Sequence, residues 1–362
     1  AAYDKALSIK PDLENAWLGR GNVYFSRNKD KDALSCFEKA IELKTDLAEV
    51  YLNKALLKLS FGDFEEGWEL YEWRWKTRYF TSQKRNFSQP LWLNDFDIKD
   101  KTLLVHAEQC LGDTIQFCRY IRLLKRTGAK VIFEAQPPLI SLFKAQNWDC
   151  EIVAEGVALP PFDIHCPLMS LPLAFGTRLD NIPNTAPYLF ASNELSDKLK
   201  QEIGSNHERR IGIVCSGNSV HKNDIFRSIS LETLIEALPS DYSVLMIQKD
   251  IRAEDRNYLN KRTTIHDLSN KISSFHDTAS IIDNLDLVIS VDTSVAHLAG
   301  AMGKPVWILL PFHPDFRWLR DRSNCPWYPT ARLYRQSKEG DWTDVLESVR
   351  KDLEFFAHGA SD

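Results

Sequence analysis

Two hydrophobic periodicities divide the chain of 362 residues. Through residues 1–80, apolar side chains recur at the three- and four-residue spacing of amphipathic helices. After Asp100, short apolar runs such as KTLLVH, RRIGIV and LDLVISV alternate with amphipathic stretches. Such alternation predicts parallel sheets with helices on both faces. Because the alternation occurs twice, with the polar segment 189–208 between its two halves, we expect two α/β domains that face each other across a cleft.

The helical part of the chain repeats with a period of 34 residues. Trp17 in one unit corresponds to Tyr51 in the next, and small residues in both units let paired helices approach closely. This pattern resembles the tetratricopeptide repeat. The second unit departs from it at Lys58 and Arg74, where the repeat has a large aromatic and a small residue. The resemblance implies a helical spacer that could also dock a protein or glycan acceptor.

An aromatic segment follows the repeats. We predict that its members pack at a hinge between the repeats and the next domain: Trp73, Trp75, Tyr79, Phe80 and Trp92. A platform for a sugar is the alternative interpretation.

Composition and charge narrow the function classes. Hydrophobic residues make up 44% of the chain, charged residues 26%, and the net charge is −5, which is typical of a globular protein and argues against nucleic-acid binding. No apolar run reaches the roughly 20 residues that would span a bilayer. The seven cysteines are scattered without a CxxC pair, which favours a reduced, cytoplasmic protein. The spacing of His, Cys, Asp and Glu also predicts no metal site.

Polar residues that directly follow predicted strands are the candidate site, because open α/β sheets bind ligands beyond the carboxyl ends of their strands. The first such stretch, AEQCLGDTIQF, opens a helix at Asp113. Its carboxylate could cap that helix or accept a proton from an attacking hydroxyl. The local sequence alone favours the cap.

Three further strand ends carry candidate ligand contacts. Lys222 and Arg227 follow the strand RRIGIV and suit a diphosphate, although a solvated loop would have the same sequence. Gln248 and Lys249 leave the next strand, where a nucleotide base or ribose could lie. The fourth strand ends in DTSVAH, so the list of candidates there is Asp292, Thr293, Ser294 and His297. A helix that begins at this point offers free backbone N–H groups to an anion.

The stretch DTSVAHLAGAMGKP resembles the nucleotide-sugar signature of the heptosyltransferases, glycosyltransferase family 9, and GDTIQF resembles the G-D motif of the same family. Cys110 departs from that family, where glycine is usual, and Arg227 stands near a family lysine. The resemblance implies a GT-B fold of two Rossmann-like domains: repeats at 1–80, an acceptor domain at 95–200, a nucleotide-sugar domain at 205–340 and a C-terminal helix at 341–362. It also implies inverting hexosyl or heptosyl transfer from a nucleoside-diphosphate sugar without a metal or other cofactor, with Asp113 as the base. The fourth strand end, together with Lys222 and Arg227, would hold the diphosphate.

Two other functions fit the same sequence. The first is a repeat-based interaction protein whose α/β domains bind nucleotide without catalysis. The second is a sugar-nucleotide epimerase of GT-B fold, although the histidine and carboxylate constellation of such enzymes is not evident. Retention of Asp113 favours the transferase.

Overall fold

A computed structural model describes residues 1–78, 80, 82–203 and 209–357. Tyr79 of the predicted hinge, the end of the predicted linker at 204–208 and the last residues of the predicted C-terminal helix at 358–362 lie outside this part of the chain.

The repeats form five helices that pack in antiparallel pairs. Small residues set the distance within each pair: a Cβ atom on Gly21 would lie 2.5 Å from the Phe37 ring, and one on Gly67 would lie 2.7 Å from the Leu59 side chain. The helices are α1 (Ala2–Ile9), α2 (Glu14–Ser26), α3 (Asp30–Leu43), α4 (Ala48–Ser60) and α5 (Phe64–Tyr71). A short 3-10 segment, Glu72–Lys76, continues from α5. The predicted helical repeats are confirmed.

The first α/β domain has a parallel sheet of four strands in the order β3-β2-β1-β4. The strands are β1 (Thr102–His106), β2 (Lys130–Ala135), β3 (Glu151–Ala154) and β4 (Ile164–Pro167). Its helices are α6 (Leu111–Phe117), α7 (Ile121–Leu124), α8 (Pro137–Lys144) and α9 (Leu171–Ala174), and α10 (Asn193–Ile203) leads towards the second domain.

The sequence predicts one continuous helix after Asp113, but the structure breaks it into short α and 3-10 turns. Side chains take the backbone carbonyls that would continue the helix. The Tyr188 hydroxyl donates to the carbonyl of Ile115 at 3.0 Å, and Nε of Arg119 donates to that of Gln116 at 2.7 Å. Competition of this kind bends or interrupts helices.

The second domain has a larger sheet of seven strands, in the order β10-β11-β9-β8-β5-β6-β7. The strands are β5 (Arg210–Val214), β6 (Ser243–Met246), β7 (Ile265–Asp267), β8 (Leu287–Val291), β9 (Val306–Leu310), β10 (Asn324–Cys325) and β11 (Tyr328–Arg335). All neighbours are parallel except β10 with β11. Its helices are α11 (Asp224–Arg227), α12 (Leu231–Glu236), α13 (Ala253–Leu259), α14 (Phe275–Asp283), α15 (Ser294–Ala301) and α16 (Thr343–Ala357). The two predicted α/β halves are confirmed, whereas β10, β11 and α13 were not predicted.

One apolar core joins the repeats to both α/β domains. Trp68 of α5 is 2% exposed, and its ring centroid lies 5.9 Å from those of Phe117 in the first domain and Phe316 in the second. Trp327 of the second domain packs edge-on against the same indole at 6.5 Å. The last repeat helix therefore packs against both α/β domains where they meet.

We expect Trp68→Ala to lower the free energy of unfolding by about 3–5 kcal/mol, because truncation leaves a cavity in this shared core. Trp73→Ala is the matched control. Its ring stacks on Tyr51 at 4.1 Å and is only half-buried. Loss of the stacking should lower the free energy of unfolding by about 0.5–1.5 kcal/mol, in addition to the hydrophobic contribution of the ring area that is buried. The total should be smaller than for Trp68→Ala. Urea denaturation measures both values. Equal losses would mean that the junction does not depend on Trp68.

Candidate active site

The helix starts that carry the two predicted motifs meet at the boundary between the α/β domains. A Cβ atom added to Gly112 of α6 would lie 2.9 Å from the His297 ring and 3.6 Å from Cα of Ser294. Only glycine allows α6 to approach α15 so closely. The structure therefore brings the G-D motif and the DTSVAH motif together.

Asp113 is buried in the third position of α6, and both of its carboxylate oxygens are engaged. Oδ2 accepts from the backbone N–H of Cys110 at 2.8 Å, which is the predicted cap. Oδ1 forms an ion pair with Arg317 of the second domain. Burial raises the pKa of Asp113, and the charge of Arg317 opposes that rise without cancelling it. The cap is thus present, and an ion pair across the domain boundary accompanies it.

The sequence patterns did not identify Arg317 as a candidate site residue. It lies in a 3-10 turn, Phe316–Trp318, and its Nη1 donates to Asp315 at 2.6 Å. Its guanidinium lies 4.3 Å above the Phe316 ring. The Nε atom is buried and finds no hydrogen-bond partner among the described residues. The signal was the charged run HPDFRW directly after the apolar strand β9.

His297 lies in α15 as predicted, and its ring is buried. Nδ1 shares a hydrogen bond of 2.9 Å with the Tyr328 hydroxyl, and the ring stacks on Trp318 at 4.9 Å. Burial, helped by Arg317, lowers the pKa of His297 to about 3. The imidazole is therefore neutral at pH 7 and brings no positive charge to a phosphate.

The other members of the DTSVAH motif surround the start of α15. Thr293 is the residue before the helix, and its hydroxyl lies 3.0 Å from that of Ser290. Ser294 is the first helical residue. Burial and the nearby Asp315 raise the pKa of Asp292 to about 6, against the opposing charge of Arg227. The indole N–H of Trp318 also lies close enough to favour the ionised Asp292, yet it makes no hydrogen bond of ordinary geometry within the described structure.

Arg227 reaches this strand end from α11. Its Nη1 donates to the backbone carbonyl of Asp292 at 2.9 Å, and its Nε is buried without a hydrogen-bond partner in the described residues. Lys222 lies on the exposed loop before α11. The structure thus brings Arg227 to the start of α15 and leaves Lys222 at the surface.

Gln248 follows β6 as predicted, and its side-chain amide is bonded within the protein. Its Oε1 accepts from the backbone N–H groups of Cys215 and Ser216 at 3.1 and 3.0 Å. Its amide donates to Oγ of Ser216 and to the carbonyl of Asp250 at 2.7 and 2.8 Å. These four bonds use the full capacity of the amide. Lys249 is exposed and donates to the carbonyl of Ser273 at 3.2 Å.

Within the described residues, no group of three or more His, Cys, Asp and Glu side chains is arranged to hold a metal ion. No helix in the same residues combines the length and the apolar character needed to cross a membrane.

Two family models match separate parts of this architecture. Residues 14–47 match the tetratricopeptide repeat, and residues 243–313 match glycosyltransferase family 9 (heptosyltransferase). The second match includes Asp292 and His297 but ends before Arg317. Tetratricopeptide repeats and a glycosyltransferase family 9 segment are therefore present in one chain, as the sequence motifs predicted.

Known proteins include a relative in sequence and several in fold. Protein FlbA of Caulobacter vibrioides is 22% identical over 398 aligned residues, which cover 98% of this chain and 64% of FlbA. This chain thus spans less than two thirds of the length of that relative. A family 9 glycosyl transferase from Veillonella parvula superposes with a TM-score of 0.55 at 12% identity, over 74% of this chain and all of that one. E. coli ADP-heptose lps heptosyltransferase II gives 0.51 at 15% identity, over 71% and 98%. The fold is that of a GT-B glycosyltransferase.

The raised pKa of Asp292 predicts a pH-dependent contribution to stability. An unfolded aspartate ionises near 3.8 and the folded one near 6, so between these values the unfolded chain loses its proton first and stability falls as pH rises. Asp292→Asn should remove this loss, which amounts to at most about 3 kcal/mol above pH 6. Denaturation of both proteins from pH 4 to 7 measures the difference. A wild-type-minus-variant difference that stays constant or rises with pH would contradict the assignment.

Proposed function

We propose that this protein is a glycosyltransferase that moves a hexosyl or heptosyl group from a nucleoside-diphosphate sugar to an acceptor hydroxyl. The observation that carries the proposal is the pair of buried Nε–H donors on Arg227 and Arg317, both beside the start of α15. Neither donor has a hydrogen-bond partner among the described residues, and the only charge paired with Nε of Arg227 there is Oδ1 of Asp224 at 3.6 Å. A buried donor without an acceptor costs roughly 1–3 kcal/mol. Phosphate oxygens at the helix start would satisfy both donors and the free backbone N–H groups of α15. The family 9 match over the same strand end supports a sugar nucleotide as the source of that phosphate.

The proposed step is a single displacement with inversion. The acceptor hydroxyl loses its proton to Asp113 while its oxygen forms a bond to the anomeric carbon. The bond from that carbon to the diphosphate oxygen breaks, and the leaving diphosphate takes the electron pair. Arg227 and the α15 N–H groups stabilise the charge that develops on it, so the proposed reaction needs no metal. Burial keeps the pKa of Asp113 raised, which brings the carboxylate closer to a working general base.

Asp113 must first be released from Arg317. In this structure Arg317 pairs with one carboxylate oxygen of Asp113, and the other accepts from the N–H of Cys110. A diphosphate carries more negative charge than one carboxylate, so Arg317 would turn towards the donor and free Oδ1 for the acceptor. Binding of the donor would thus prepare the base.

The acceptor is a protein or a glycan, and the repeats are its proposed docking site. The scattered cysteines support a reducing compartment, so the cytoplasm is the proposed location. The second candidate function is a non-catalytic repeat protein that binds nucleotide. It is favoured by the full engagement of Asp113, since such a contact could also be permanent.

The base assignment predicts the effect of Asp113→Asn. Turnover should fall by about 10²–10⁴-fold, the usual contribution of general base catalysis. Affinity for the donor should be kept or rise, because the substitution removes the carboxylate charge that competes with the diphosphate for Arg317. Release of nucleoside diphosphate from a panel of sugar nucleotides, with and without acceptor, measures the first. Calorimetry measures the second.

Asp277→Asn is the matched control, because Asp277 caps α14 by accepting from the N–H of Ser274 at 2.9 Å. The amide oxygen of asparagine can accept the same N–H bond, so turnover should survive this change. Near-normal turnover in Asp113→Asn would make Asp113 only a cap. A wild type inactive with every donor, yet able to bind nucleoside diphosphate, would favour the non-catalytic function.

The donor-site assignment predicts that Arg227→Ala weakens binding of a nucleoside diphosphate by about 1–3 kcal/mol, the value of a hydrogen bond to a charged group. Binding should survive EDTA, because the proposed contacts are a guanidinium and a helix start. Lys351→Ala, an exposed site on α16, is the control and should bind as the wild type does. Unchanged affinity in Arg227→Ala, or complete loss with EDTA and recovery with magnesium, would contradict this site.

A further inference from the structure

A polar cavity of about 240 Å³ lies outside the proposed donor site, between the segment that follows the repeats and the first α/β domain. Trp75, Ser82, Gln83 and Arg85 form one wall. Side chains at the carboxyl ends of β1 and β2 form the opposite wall. Ligands of open α/β sheets bind at this edge. Of the aromatic segment for which a sugar platform was the alternative interpretation, Trp75 lines this cavity.

The wall that comes from the repeat side is fixed in place. Arg85 donates to both carboxylate oxygens of the buried Glu134, at 2.6 and 2.9 Å. The hydroxyl of Ser82 accepts from the backbone N–H of Gln109 at 2.6 Å. Gln109 itself has a φ of 62°, a left-handed conformation that a residue with a side chain adopts at a cost. The surrounding contacts therefore hold a strained turn at the edge of the cavity, four residues before Asp113.

Two buried polar atoms among the lining residues have no partner within the described structure. They are Nε2 of His106 and Oε1 of Gln136, and His106 is only 4% exposed. Each missing bond costs roughly 1–3 kcal/mol unless a ligand or water supplies it.

The positive charge of Arg85 at the cavity is already compensated, and the exposed Glu155 adds a negative charge to the lining. Arg85 pairs with Glu134, and Glu108 pairs with the buried Arg74. An anionic group would have to displace one of these carboxylates. The remaining lining offers amide, hydroxyl and imidazole groups beside the indole of Trp75. The polar groups can form hydrogen bonds with the hydroxyl groups of a sugar, and the indole can pack against the apolar face of its ring.

We propose that this cavity binds one neutral saccharide unit, and that the segment following the repeats supplies half of the subsite. Its role as the acceptor subsite rests on the proposed transferase function, whereas saccharide binding itself does not. The segment that follows the repeats would then contribute to acceptor choice through Ser82 and Gln83, in addition to docking at the repeats.

Saturation-transfer NMR with glucose, galactose, mannose and N-acetylglucosamine tests the proposal, with N-acetylneuraminic acid and inorganic phosphate as charged comparators. We expect at least one neutral sugar to bind the full chain. Gln136→Leu and Gln83→Leu should each weaken that binding at least about tenfold, the equivalent of one lost hydrogen bond of 1.4 kcal/mol. Gln83 is exposed, so its substitution should not affect folding. Gln201→Leu, an exposed site on α10, is the control and should bind normally.

Three outcomes would overturn the proposal: binding of none of the neutral sugars, binding of the charged comparators only, or neutral-sugar binding that neither substitution weakens. Arg227→Ala separates this site from the donor site. Sugar binding that persists in Arg227→Ala supports an independent subsite even if nucleotide binding fails. Sugar binding that disappears with Arg227→Ala would assign the signal to the donor site and contradict the inference.

Discussion

The ion pair between Arg74 and Glu108 fixes the repeats to the first α/β domain. Arg74 is fully buried and donates to both oxygens of Glu108 at 2.9 and 2.8 Å. Its remaining N–H groups reach Glu72 and Ser170. Removal of one partner from a buried pair of this kind typically costs about 3–5 kcal/mol, because the other charge is left unpaired in the interior. Glu108 directly precedes the strained turn at Gln109 and the start of α6. The position of Asp113 therefore depends on an arginine that belongs to the repeats.

The repeats also hold the other side of the proposed site. Asn28, in the turn between α2 and α3, donates to the carbonyl of Phe312 at 2.9 Å, and its side-chain oxygen lies 2.9 Å from Nδ1 of His313. These contacts anchor the loop that carries Arg317. The repeats thus contact both the turn that leads into α6, the helix of Asp113, and the loop that carries Arg317. Both ends of the Asp113–Arg317 pair therefore depend on the position of the repeats.

The sequence was sufficient for those features that depend on local periodicity. The strands from β1 to β9 follow apolar runs, and glycine at 112 and the DTSVAH stretch mark the two helix starts correctly. It was insufficient where contacts join distant parts of the chain. Arg74 was visible only as a departure from the repeat, and its cause, a carboxylate 34 positions later, is a property of the folded chain. Gln248 and His297 had the right locations, but burial gave both of them internal partners. The helix after Asp113 breaks because Tyr188, far along the chain, takes one of its carbonyls.

The two buried arginines at these boundaries differ in a way that separates structure from proposed function. Every nitrogen of Arg74 that can donate finds an oxygen of the protein, including the carbonyl of Tyr71 at 3.3 Å. Arg317 spends its terminal nitrogens on Asp113 and Asp315 and leaves Nε unsatisfied within the described residues. A satisfied guanidinium has nothing to gain from movement, so Arg74 is suited to hold the repeats permanently. An unsatisfied one gains a bond when an anion arrives. Arg317, whose movement would release Asp113, is thus the arginine that would gain a hydrogen bond when an anion binds. Arg74 would gain none, so the repeat junction can stay fixed while the contacts at the domain boundary change.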